Sequence, residues 1–191
     1  MVTKPKTKFW KGFWVGILTS AVLAVAGTYG FIKLGEALVK KRLKAPVVPT
    51  RLKEEFDFKY TTLQGEEKHV SQLKGKVVFV NFWGTWCIPC VAEMPTVQKL
   101  YNRFKNDSSV VFVIASRQDT PEKINAFAKK NSYTLPFYTI TDEDIPASMK
   151  FNQYPATFIY GKDGNIAMKH VNGADWSDTS VVHFIERLAA M

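Results

Sequence analysis

The chain has 191 residues, 46% hydrophobic and 14% aromatic, enough for one packed domain with an appendage. Its formal charge of +9 is unevenly placed: residues 1–50 hold nine Lys/Arg against the single acid Glu36, whereas residues 51–191 hold 17 basic and 16 acidic groups. A nearly neutral domain lacks the electrostatic footprint that nucleic acid requires, which excludes nucleic acid as a partner.

Residues 1–12 form a basic N-terminus carrying Lys4, Lys6, Lys8 and Lys11. Residues 13–32 follow without a charge, from Phe13 to Ile32. About twenty such residues are what a membrane-spanning helix needs, and Trp10, Trp14 and Tyr29 near its ends suit the interface. The span is therefore expected to be a retained signal anchor. The alternative is a cleaved signal peptide, for which Ala24-Val25-Ala26 offers a small-residue site, but the apolar run continues past it. Lysines before the span place the N-terminus in the cytoplasm, while Lys40, Lys41, Arg42 and Lys44 after it weaken the charge asymmetry. Residues 33–50 read as a juxtamembrane linker, in which Pro46 and Pro49 end any helical extension.

The domain is expected over residues 51–191. Phe56 to Tyr60 alternates like a half-buried strand, Gln64-Gly65-Glu66 is a turn, and Lys68 to Val70 is its return strand. Lys76 to Trp83 is an apolar, β-branched run that reads as a buried strand. Gly84-Thr85-Trp86 turns the chain into Cys87-Ile88-Pro89-Cys90, which holds both cysteines of the sequence, and Val91 to Phe104 reads as a helix. Val110 to Ala115 is a second buried strand. Thr120 caps a helix that opens with Pro121 and runs to about Asn131. Leu135 to Ile140 is a short strand and Ala147 to Phe151 a short helical piece. Pro155 to Tyr160 and Ile166 to Val171 form a hairpin around Asp163-Gly164, and Thr179 to Ala190 is a closing amphipathic helix. The order gives an α/β domain with a mixed sheet.

Two thiols three residues apart can open and close one disulfide with little backbone movement. A thiol at a helix N-terminus is stabilised as the thiolate, the reactive form. A crosslink this short would add little by loop closure, so the pair argues for exchange chemistry rather than a structural staple. A Cys pair on a tethered domain also makes most sense outside the reducing cytosol, in the periplasm or another extracytoplasmic space.

The strand Val80-Asn81-Phe82-Trp83, then Gly84-Thr85-Trp86-Cys87-Ile88-Pro89-Cys90, then Glu93-Met94-Pro95 and the distant Tyr154-Pro155-Ala156-Thr157-Phe158 resemble the thioredoxin fold. They are similar in particular to its membrane-anchored, TlpA/ResA-like branch of thiol-disulfide oxidoreductases. The resemblance covers about residues 51–191. It implies a central mixed sheet flanked by helices, with an N-terminal β-hairpin extension. It makes Cys87 the attacking thiolate, Cys90 the resolving thiol, and Pro155 a cis-proline facing the pair that leaves the Tyr154 backbone free to pair with a client strand. Glu93, one turn beyond Cys90, would be a buried acid that moves protons during exchange. Asn81 departs from thioredoxin itself, where a buried Asp is common, and shifts proton handling onto Glu93 or water. Trp86, Ile88, Pro89, Tyr154 and Pro155 would contact the client, with Trp83 and Trp86 shaping the surface. Pro95 is expected to kink its helix.

The resemblance further implies a reductase of disulfides in client proteins, with apocytochrome c as a client class, a membrane dithiol as electron donor, and no cofactor beyond the Cys87–Cys90 disulfide. A copper-binding chaperone on the same fold and a thiol oxidase stay open as alternatives. Two thiolates suit Cu(I), but no His or Met has an obvious claim as third ligand. A peroxiredoxin-type peroxidase would want Thr-x-x-Cys, which is missing.

Overall fold

The computed structural model describes residues 8–46, 52–55, 57–145, 149 and 151–191. It divides into two compact units, Met1–Arg42 and Leu43–Met191. Helix α1, Lys8–Arg42, contains an apolar stretch, Ile17–Gly35, long enough to cross a membrane. That stretch overlaps the predicted span over 13–32, and the helix continues well beyond it on the C-terminal side.

The second unit is built on one mixed sheet. Its strands are β1 (Leu52–Glu55), β2 (Lys59–Thr62), β3 (Glu67–His69), β4 (Val77–Trp83), β5 (Val110–Arg117), β6 (Phe137–Ile140), β7 (Ala156–Tyr160) and β8 (Asn165–Val171). Among the described residues the order is β1-β8-β7-β4-β5-β6-β2-β3. Strand β4 is buried along its whole length. It pairs parallel with β5, Val77 opposite Val110, and antiparallel with β7, Asn81 opposite Thr157. The parallel β4–β5 pair requires a crossover, supplied by α2, Ile88–Phe104. Helix α3, Pro121–Asn131, links β5 to β6, and α4, Thr179–Ala190, closes the chain.

The period of two along β4 divides the core. Val77, Phe79 and Trp83 join a cluster with Met94, Val97 and Leu100 of α2 and with Val181, Ile185 and Leu188 of α4. Val78, Val80 and Phe82 face the opposite cluster with Phe58, Tyr60, Phe158 and Tyr160. Asn81 lies between Phe79 and Trp83 in the first set, a polar residue at 0% exposure on the face that meets α2.

The N-terminal hairpin is β2–β3, turning at Gly65 with φ +92°, and it docks through β2 on β6. The strand expected over Phe56–Tyr60 instead begins at Lys59. Asp57 has left the ladder because its carboxylate accepts from Ser71 N–H at 2.8 Å and lies 3.0 Å from His69 Nδ1. Phe56 lies outside the described residues, as does most of the helical piece expected over 147–151. The Thr120 cap and Pro121 start of α3, the Gly164 turn and α4 stand as predicted.

Candidate active site

The site sits beyond the C-terminal end of β4, where open α/β sheets commonly place their ligands. The helix that follows starts at Ile88, three residues earlier than the apolar pattern indicates. Cys87 is its N-cap, and Pro89 occupies the first turn, where a missing N–H costs nothing. The Val91 N–H bonds the Cys87 carbonyl at 3.0 Å, and the Cys90 N–H donates to Cys87 Sγ at 3.3 Å. The two cysteines thus span the positive end of α2, and they are joined as a disulfide.

Their surroundings differ. Cys90 is wholly buried and Cys87 retains a 5% opening, while Ile88 and Pro89 between them are exposed. What exposure the pair has lies on the Cys87 side. Trp86 is 48% exposed and packs edge-on against Tyr154, ring centroids 5.4 Å apart. This contact brings the Tyr154–Pro155 segment beside the turn, and the peptide bond between those two residues is cis. Arg117, at the end of β5, supports Tyr154 from behind. Its Nη1 donates to the phenolic oxygen at 2.9 Å, and its guanidinium lies 5.6 Å from the ring centre. Arg117 is also ion-paired with Asp142.

Glu93, one turn along α2 from Cys90, is at 0% exposure. Its Oε2 accepts from Ala174 N–H at 3.0 Å and Trp176 Nε1 at 2.8 Å, and its Oε1 accepts from Asn81 Nδ2 at 2.8 Å. Burial pushes its pKa up to about 7, against these three hydrogen bonds, which pull it down. The Asn81 amide is shared: its second N–H donates to Thr157 Oγ1 at 2.8 Å, the residue opposite it on β7. Among the described residues Asn81 Oδ1 has no hydrogen-bond partner.

Cys87, Cys90, Glu93, Trp86, Tyr154 and Pro155 therefore converge on one end of the sheet, with Ile88 and Pro89 on its rim. Trp83 does not belong to the surface. It is fully buried against Phe127 and Phe137, at 5.0 and 5.1 Å, because the alternation of β4 sends it to the inner face. Pro95 lies inside α2. Of the histidines, His69 sits beside Asp57 and His170 packs against Trp176 at 5.8 Å. Sequence reasoning missed Trp176, Ala174 and Arg117. The first two come from a loop some eighty residues after Glu93, and only a tryptophan within a polar loop hinted at them. Arg117 reads as an ordinary residue at the end of a strand.

The AhpC/TSA family profile matches residues 53–169. The thioredoxin-like protein YneN of Bacillus subtilis (strain 168) is 37% identical over 116 residues, covering 60% of this chain and 68% of that one. The thiol-disulfide oxidoreductase ResA of Bacillus cereus (strain ATCC 10987 / NRS 248) is 30% identical over 145 residues, covering 76% and 80%. The crystal structure of a thiol:disulfide interchange protein of the thioredoxin family from Chlorobium tepidum TLS superposes with a TM-score of 0.58. It is 22% identical and covers 76% of this chain and 99% of that one, a likeness of fold.

Proposed function

Since the chain belongs to the AhpC/TSA family and is a thiol-disulfide oxidoreductase of the ResA type, we propose that it works as a membrane-anchored reductase of disulfides in extracytoplasmic client proteins. The observation that carries this reading is the Cys87–Cys90 disulfide at the N-terminus of α2, with Cys87 the less buried of the two sulfurs and Glu93 buried one turn behind Cys90.

In the dithiol form Cys87 is the thiolate, stabilised by the helix dipole. It attacks one sulfur of a client disulfide, forming a mixed disulfide and expelling the client's other thiolate. Cys90 then loses its proton to the Glu93 carboxylate and attacks Cys87 Sγ. The Cys87–Cys90 bond forms, and the client's second thiolate leaves and takes up a proton. A carboxyl group with a pKa of about 7 can accept and return that proton at neutral pH. Trp86, Ile88, Pro89, Tyr154 and Pro155 hold the client segment, with the Tyr154 backbone pairing along it. Each turnover leaves the pair oxidised, so a dithiol donor in the membrane must supply two electrons, and no further cofactor enters the scheme. The anchor is α1, and apocytochrome c is the client class we favour.

A Cys90→Ser variant of the full chain, expressed in cells, tests the scheme. It should accumulate as a mixed disulfide through Cys87, released by dithiothreitol, and the freed Cys87 should react with a membrane-impermeant maleimide in intact cells. Absence of any mixed disulfide would sink the exchange reading, and labelling only after lysis would place the domain on the other side of the membrane.

A further inference from the structure

The turn that delivers Cys87 to the head of α2 is held from outside. The Cys87 N–H bonds the Gly84 carbonyl at 3.1 Å, which makes Thr85 and Trp86 the corner residues. Both corners are tied to the connection between β5 and α3. The indole of Trp86 donates to the Arg117 carbonyl at 3.3 Å. Thr85 is gripped harder: its N–H donates to Asp119 Oδ2 at 2.7 Å and its hydroxyl to Asp119 Oδ1 at 2.8 Å. The Asp119 side chain is wholly buried and also accepts from Ser116 Oγ at 2.7 Å and from Lys123 Nζ at 2.6 Å. Four donors thus converge on one carboxylate, and two of them belong to the residue two places before the attacking cysteine.

We propose that Asp119 is a positioning residue for Cys87, its carboxylate fixing the Thr85 corner while Lys123 cancels its charge. The inference rests on the exchange reading of the Cys pair. Exchange requires the incoming sulfur to line up with the bond being broken, so the position of Cys87 Sγ sets the rate. A carboxylate is the one side chain whose two oxygens can take all four donors. Left uncompensated against Thr85, two residues from Cys87, its charge would raise the Cys87 thiol pKa. Lys123 lies four residues along, on the first turn of α3, and supplies the opposite charge.

The experiment compares wild type, Asp119→Ala, Asp119→Asn and Lys123→Met as full chains in detergent. The rate of disulfide reduction by dithiothreitol is read at pH 7, and the Cys87 thiol is titrated by thiolate absorbance. Asp119→Ala should slow reduction about tenfold. Asp119→Asn keeps an acceptor for the Thr85 N–H and should recover to within about threefold of wild type. Lys123→Met, at an exposed position, should raise the Cys87 thiol pKa and roughly halve the thiolate fraction at pH 7. Wild-type rate and thiol pKa in both Asp119→Ala and Lys123→Met would overturn the proposal, whatever happens to their melting temperatures. If Asp119→Ala fails to fold, the thiol pKa of Lys123→Met decides alone. A wild-type disulfide that resists dithiothreitol would instead remove the exchange reading, and this inference with it.

Discussion

Glu93 is the buried acid of the site. A buried carboxylate is costly unless hydrogen bonds support its charged form, and here three donors do so without fully offsetting the loss of water. The folded pKa of about 7 lies above the ordinary 4.5, so the native state holds more protons than the unfolded chain between those values. Stability from this group is full below about pH 4.5 and is lost as pH rises through 7. At about 1.4 kcal/mol per pH unit, the loss is roughly 3 kcal/mol across that window. A Glu93→Gln variant should flatten this dependence in urea-unfolding midpoints taken from pH 4.5 to 8, and should exchange more slowly at neutral pH. A variant whose midpoints fall with pH as steeply as those of wild type would show that Glu93 does not titrate there. The position of Glu93 was legible from its three-residue spacing after Cys90. Its pKa is raised by burial and held back by hydrogen bonds from Ala174 and Trp176, which the loop before α4 brings in and which leave no local trace in the sequence.

At the scale of elements, the β4–α2 turn is where local pattern and structure part company. Apolar periodicity starts α2 at Val91, because Ile88 and Pro89 are exposed and add nothing to the buried stripe. The backbone starts it at Ile88, because Cys87 acts as the N-cap and Pro89 fits the first turn. A thiol cap was hard to foresee, since Ser, Thr, Asp and Asn are the usual caps. Gly84 has its own reason: a Cβ there would lie 2.4 Å from Trp86 Nε1 and 2.7 Å from its Cε2. Gly84→Ala should therefore push the indole off the Arg117 carbonyl and off Tyr154. We expect about 1–2 kcal/mol of lost stability, a change in tryptophan emission, and a raised KM for a protein disulfide substrate with kcat much less affected. Unchanged KM and emission would contradict the packing described here. Trp83 shows the opposite lesson, since period-two reading of β4 alone would have placed it inside with Phe79.

For the whole molecule, the mixed sheet, the crossover helix and the hairpin extension followed from the alternation of strands and helices. The β1 strand did not, because Lys53, Glu54 and Glu55 carry no apolar alternation, and the strand pairs only at the edge of the sheet, against β8 through Leu52 and Glu55. Helix α1 was visible as an uncharged run, and its continuation to Arg42 reflects good helix formers ahead of Pro46. The architecture places a nearly buried and a fully buried sulfur, joined as a disulfide, at a helix N-terminus, with a buried acid one turn further along the helix. The direction of exchange is set by the stability of the Cys87–Cys90 bond relative to the client's. The measurement that tests the account most directly is the reduction potential of this couple in the full chain, equilibrated against glutathione and dithiothreitol. The account predicts a value near thioredoxin's, about −270 mV or lower, as a reductase supplied with electrons requires. A value near −120 mV would make the protein an oxidant of client thiols and contradict it.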